Sequence, residues 1–245
     1  MRIKTIFAVV GFLLICSVPL QADILMFREG VNSYSGTIDT YIDARAGDSD
    51  ISHADREYFG VGNQGTTGNR QIQDLIRFDG IFGSLPGQIP MGSSISNAKL
   101  WLYIYPPDGE SDCGVEIYRM LSHWDEDDTW DEWIGGIQPV TEAAVGTPDD
   151  YITDFPDPIY PPYQRWFSLD VTQSLQAWSS GEENLGWFLQ SYDKTKSDGV
   201  PFCSSEYTDL GLRPYLEVSV VPAPSAVLLC IFGLSMIGVK LRRYI

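Results

Sequence analysis

The stretch SNAKLWLYIY, Ser96 to Tyr105, decides the fold. In an extended chain Ala98, Leu100, Leu102 and Ile104 fall on one face, and Lys99, Trp101, Tyr103 and Tyr105 on the other. Period-two alternation of this kind marks a half-buried strand whose aliphatic side faces a core. The same alternation, bounded by Gly, Pro, Asn or Asp, recurs in QDLIRFDGI (73–81), GVEIYRML (114–121), GWFLQSY (186–192) and PYLEVSVV (214–221). Only one stretch has helical spacing: Thr172 is placed to cap residues 173–179, Val171, Leu175 and Trp178 share a side, and Gly181 ends the run. Many short strands with long polar connections predict an all-β chain, a jelly-roll-type β-sandwich with one short helix. Residues 142–162, rich in Pro, Asp and Tyr, read as an irregular surface excursion between strands. No internal repeat is evident.

Composition narrows the function. The 245 residues hold 16 Lys and Arg against 33 Asp and Glu, a formal charge of −17, with 44% hydrophobic residues and seven tryptophans. That much apolar content supports a packed core and one globular domain. The acidity argues against nucleic-acid binding, which needs a cationic surface.

Both ends read as targeting segments. Arg2 and Lys4 precede an apolar run from Ile6 to Leu20 and then Gln21-Ala22, the layout of a secretory signal cut near Ala22. At the other end VPAPS (221–225) precedes an apolar run, 226–239, and the basic KLRRY. Positive charge after an apolar helix holds that end in the cytoplasm and leaves residues 23–221 outside. Neither end holds an acid, so their removal leaves 11 basic and 33 acidic residues and a charge of −22. Cys16 and Cys230 lie in these segments, so the body keeps only Cys113 and Cys203. In an oxidising compartment two thiols most simply form one disulfide; a buried thiol pair is the alternative.

The C-terminal arrangement resembles the bacterial PEP-CTERM sorting signal, with Ala223 where that pattern has Glu. The resemblance implies a transient membrane anchor at 222–245 and an exosortase-type processing enzyme as partner. In the body, LIRFDGIFGSLPGQIPMGSSISNAKLWLYI, VEIYRMLSHWDEDDTWDEW, WFSLDVTQSLQAWSSGEENLGWFLQS and FCSSE followed by RPYLEVSV form four ordered blocks. They resemble the DNRLRE, or disaggregatase-related, family, with an extra GSLPGQ stretch and Asp131 as departures. The resemblance implies a single β-sandwich over 23–221 that binds polysaccharide or serves as a structural module, with catalysis generally carried elsewhere. It also implies that Trp124 and Trp130 are packing anchors.

Little in the body suggests catalysis. His53 and His123 are the only imidazoles, and no zinc spacing, GxSxG or phosphate-cradling glycine loop occurs. Carboxylates and tyrosines alone can serve glycosidases and lyases, so a polysaccharide-degrading enzyme stands as the alternative from another class. For binding, the ring row Trp101, Tyr103 and Tyr105 with Lys99 at its edge suits stacking on sugar rings. Arg119 or Tyr118 joins it from the neighbouring strand if the register allows, and Trp133 is the less constrained ring of the HWDEDDTWDEW loop. The opposing reading is that the 142–162 excursion covers these rings as a second small core. Trp166 and Trp178 read as core, Asp170 with Thr172 as caps, and Glu206 with Arg213 as an ion pair. Asp39, Asp43, Asp48, Asp50 and Asp55 crowd acids into one connection and suggest one structural Ca²⁺, although the spacing is not an EF-hand. With a body this acidic, the expected partner is a neutral polysaccharide, or an acidic one bridged by Ca²⁺.

Overall fold

The alternation of 96–105 is realised in a strand whose aliphatic side is sealed: Ala98, Leu100 and Ile104 have no exposed surface. The structure, a computed structural model, describes residues 23–63, 71–105, 113–139, 143–155 and 166–221. The proposed signal (1–22), the sorting segment (222–245) and parts of the 142–162 excursion lie outside the described residues. No helix among the described residues is long and apolar enough to cross a membrane.

In chain order the elements are β1 (Asp23–Arg28), β2 (Thr37–Asp43), β3 (Tyr58–Asn63), β4 (Gln71–Phe78), β5 (Ser94–Tyr103), β6 (Val115–Arg119), β7 (Asp150–Ile152), β8 (Trp166–Asp170), α1 (Thr172–Ser179), β9 (Trp187–Gln190), β10 (Asp198–Cys203) and β11 (Tyr215–Val221). They form two antiparallel sheets, as expected of an all-β chain with one α-helix. One has the order β1-β11-β5-β8; the other runs β10-β3-β4-β9-β6-β7, with β2 also paired to β4. The sheets bury their inner faces against each other, Phe27, Leu100, Leu169 and Leu216 meeting Ile76, Phe78, Ile117, Trp187 and Leu189. Each fully buried Leu or Ile contributes about 1.5–3 kcal/mol, so this layer dominates stability.

Helix α1 closes one side of the core with Leu175 and Trp178, the latter ring 4.7 Å from that of Trp187. The Thr172 hydroxyl does not cap the helix; it accepts from Ala98 N–H at 2.9 Å and ties α1 to β5. Asp170 shapes the entry instead, its Oδ1 accepting from Thr172 N–H at 2.9 Å.

A second apolar cluster lies on the outer face of the larger sheet. Ile42, Leu75, Tyr118 and Phe188 are covered there by Met120, Trp124, Ile137 and Ala144 from the 120–145 connection. Among the described residues a small second core therefore exists over the larger sheet. Residues around 150 serve differently, β7 extending the edge beside β6.

The expected Cys113–Cys203 disulfide is not formed. Cys113 O accepts from Asp193 N–H at 2.8 Å, beside Lys194, whose carbonyl takes the Asn63 side chain. In the β3–β10 ribbon Asn63 pairs with Asp198, whereas Cys203 pairs with Tyr58 at the far end. Five residues of strand span about 17 Å, while a disulfide needs Cα atoms within ~7 Å. Both cysteines are buried, and the Cys113 thiol donates to Gly114 O at 3.3 Å.

Candidate functional site

Residues directly opposite in antiparallel strands share a face, so the registers define the outer surface of the four-stranded sheet. Arg28, Tyr215, Trp101 and Ser168 form one cross-strand row; Met26, Glu217, Lys99 and Asp170 form the next; Tyr103 lies opposite Trp166. The rings interlock. Trp101 stacks on Tyr215 at 5.7 Å and 8°, and Trp166 meets Tyr215 edge-on at 5.3 Å and Tyr103 at 5.2 Å. Arg28 lies over Tyr215, 4.2 Å from its centroid, and donates to Gly211 O. Lys99 Nζ is 5.8 Å from the Trp101 ring. Burial lowers the Arg28 pKa, offset in part by Tyr215 and Asp209, and raises that of Tyr215.

All four rings are half-buried, and on the same face Ile24 and Met26 are 69% and 46% exposed. The β1 side of the array is thus open to solvent. The array is aromatic, its rings stacked and edge-on against one another, and nearly charge-neutral, since Arg28 and Lys99 are set against Glu217 and Asp170. Such a surface can stack the apolar faces of sugar rings while its polar rim meets hydroxyls.

Of the residues expected to bind carbohydrate, the structure brings together Lys99, Trp101 and Tyr103. Tyr105 is elsewhere, because the chain leaves the smaller sheet after Tyr103: Ile104 bridges to Phe202, and Tyr105 N–H donates to Pro201 O. Its ring joins a separate string with Tyr58 at 5.0 Å and Tyr207 at 5.8 Å. Arg119 belongs to β6 in the other sheet and pairs with Glu182 at 2.7 Å. Trp133 is half-buried against the second cluster and donates from Nε1 to Asp128 at 3.1 Å. Trp166, expected in the core, belongs to the surface array. Its period-two partners Ser168 and Asp170 were the available signal, since both are polar. Trp124 and Trp178 are buried, as expected. Arg28 and Tyr215 were not singled out by the sequence.

The five aspartates do not converge. Asp39 and Asp43 are buried on β2, where Asp39 accepts from Ser205 N–H at 2.9 Å. Arg45 donates to Asp43 at 2.6 Å and lies 3.8 Å from Asp48, the place a cation would take. Asp50 and Asp55 are exposed. Among the described residues no three Asp, Glu, His or Cys side chains are grouped to hold a metal ion, so this donor set does not fit a Ca²⁺ cage. Glu206 and Arg213 share a cleft of about 550 Å³ with Glu29 and Asp79 but do not pair. Glu206 accepts from Ser205 Oγ at 2.6 Å, and Arg213 donates to Tyr207 O at 2.7 Å. Burial, reinforced by Glu206, raises the Asp39 pKa well above the carboxylate range; burial, reinforced by Asp39, does the same for Asp74. No protein-family model matches the chain, and no curated protein matches it significantly.

Proposed function

We propose that the protein is a non-catalytic, secreted or surface-displayed β-sandwich of the jelly-roll type that binds or organises extracellular polysaccharide. The observation that carries this reading is the cross-strand array of Trp101, Tyr103, Trp166 and Tyr215, open along the β1 edge. Four large rings, half-exposed on a rigid sheet, present a preorganised platform that costs little ordering entropy on binding. The order of the DNRLRE-like blocks and the secretory and PEP-CTERM-like ends point the same way. An exosortase-type enzyme would release the body from its transient anchor to the cell surface or matrix.

Because Glu217 and Asp170 flank Lys99 and the body carries −22, the platform favours neutral glycans. Acidic glycans would need a divalent cation as a bridge, Ca²⁺ being the natural choice. A glycan array probed with and without EDTA tests the reading: neutral polymers bind in both buffers, acidic ones only with Ca²⁺. Cleavage of any alginate-like or chondroitin-like polymer on incubation would favour the enzymatic alternative, and absence of binding to every polymer would favour a protein-packing role.

A further inference from the structure

A second polar recess lies on the opposite side of the sandwich, where the 130–138 loop meets the turn after β2. Its volume is about 380 Å³, near the lower end of the ~300–1,000 Å³ usual for small-ligand sites. Trp130 forms one wall, and Ser49, Gln71, Asp131 and Gln138 line the rest. Among the described residues no Lys, Arg or His lines it.

The walls are held by buried contacts. The Gln73 side chain, 1% exposed, donates to Ile137 O and accepts from Ile137 N–H, both at 2.8 Å, copying a strand pairing with its amide. Asp131 N–H donates to Ser49 O at 3.0 Å and Ala44 N–H to Gln71 O at 2.8 Å, joining loop, turn and β4. Gly136, at φ +76°, lets the chain pass against Trp130; an added Cβ would lie 2.4 Å from the ring. Trp130 also packs on the second apolar cluster, so its orientation is fixed from behind.

We infer that this recess is a second glycan subsite, taking one or two rings of a neutral sugar with a face on Trp130 and hydroxyls bonded by Gln71, Asp131, Gln138 and Ser49. Two amides, one carboxylate and one hydroxyl offer donors and acceptors in the mixture that vicinal hydroxyls require. The Asp131 carboxylate repels uronates and phosphates, so the described lining favours a neutral sugar. The inference rests on the reading that the protein binds polysaccharide and extends it. The recess lies over the larger sheet and the aromatic array over the smaller, so one molecule can hold two chains and cross-link them.

Isothermal titration of the full-length chain with cello-, manno- and galacto-oligosaccharides of two to four residues tests this. The wild type binds two equivalents of at least one series. A D131A/Q138A variant, both side chains being exposed and outside the core, keeps its melting temperature and loses one equivalent or at least tenfold in affinity. Trp101→Ala loses the other equivalent. Sugar-induced protection of amides 130–138 in hydrogen exchange of the wild type supports the subsite without any variant. Unchanged stoichiometry and affinity in D131A/Q138A, with no protection at 130–138, overturns the recess and leaves the platform standing. Binding lost in D131A/Q138A but intact in Trp101→Ala supports the recess and removes the platform. No binding in any arm overturns both.

Discussion

Replacing Gln73 by leucine removes the one side chain that pairs both backbone groups of Ile137, while a residue of similar volume keeps the core filled. The cost is worked from what is left behind. Ile137 is fully buried, and both its N–H and C=O lose their partner. A buried polar group left unpaired costs about 1–3 kcal/mol, so the pair amounts to about 4 kcal/mol. For a chain of this size that is a fall in melting temperature of roughly 8–16 °C. Calorimetric or circular-dichroism melts of Gln73→Leu and wild type measure it, with the exposed Gln138→Ala as a control expected to stay within ~0.5 kcal/mol. Hydrogen exchange supplies the mechanism: the Ile137 amide, protected in the wild type, exchanges rapidly in Gln73→Leu. A shift under 2 °C together with a still-protected Ile137 amide would refute the claim that this amide holds the 130–138 loop over the larger sheet.

Three further outcomes rest on buried groups. Both Asp74 carboxylate oxygens are buried without a hydrogen-bond partner, and the nearby Gly60 amide offsets the burial only in part, so its folded pKa lies well above 3.8. The folded state therefore keeps this proton to higher pH than the unfolded chain, and stability falls as pH rises from about 4 through the folded pKa. Asp74→Asn should melt above the wild type at pH 8, the gap closing toward pH 4; equal melts at pH 8 would contradict it. His53 works in the opposite sense. Burial lowers its pKa below 6.5, so stability drops on acidification below that value, equally in wild type and Asp74→Asn. For the cysteines, alkylation in denaturant without reductant should label both Cys113 and Cys203; a bridged peptide joining them would contradict the structure.

Much of the sandwich was legible because its aliphatic and polar residues segregate by parity. In β5 the sets Ala98–Leu100–Leu102 and Lys99–Trp101–Tyr103 declare their faces, and the helix is equally plain from Val171, Leu175 and Trp178. Strand β2 was illegible since TIDTYID is buried almost throughout, with Asp39 and Asp43 in places where alternation expects apolar residues. Tyr105 was misplaced because parity continues unbroken along a chain while the chain itself moves from one sheet to the other at Ile104. Arg119 failed for a related reason: β5 and β6 are consecutive, and a hairpin between them was the natural assumption, yet β6 pairs with β9 and β7. The recess was invisible because it depends on Gln73 reaching Ile137 across 64 residues of chain, and long-range pairing by a side-chain amide leaves no periodic trace. Trp166 and Tyr215 are site residues that parity alone could have recovered, the first from its polar partners Ser168 and Asp170, the second from Glu217 and Ser219.

In the proposed function the aromatic face of the smaller sheet holds polysaccharide. Trp101 lies at the centre of that face, between Tyr215 and Ser168. Truncating a central aromatic of a binding surface typically costs about 2 kcal/mol, or roughly 30-fold in affinity. Affinity electrophoresis or titration of wild type and Trp101→Ala against the neutral polymer selected on the array measures this, with melts to show that the fold survives. A folded Trp101→Ala variant is expected to bind about 30-fold more weakly. Unchanged affinity in that variant would contradict the proposed function.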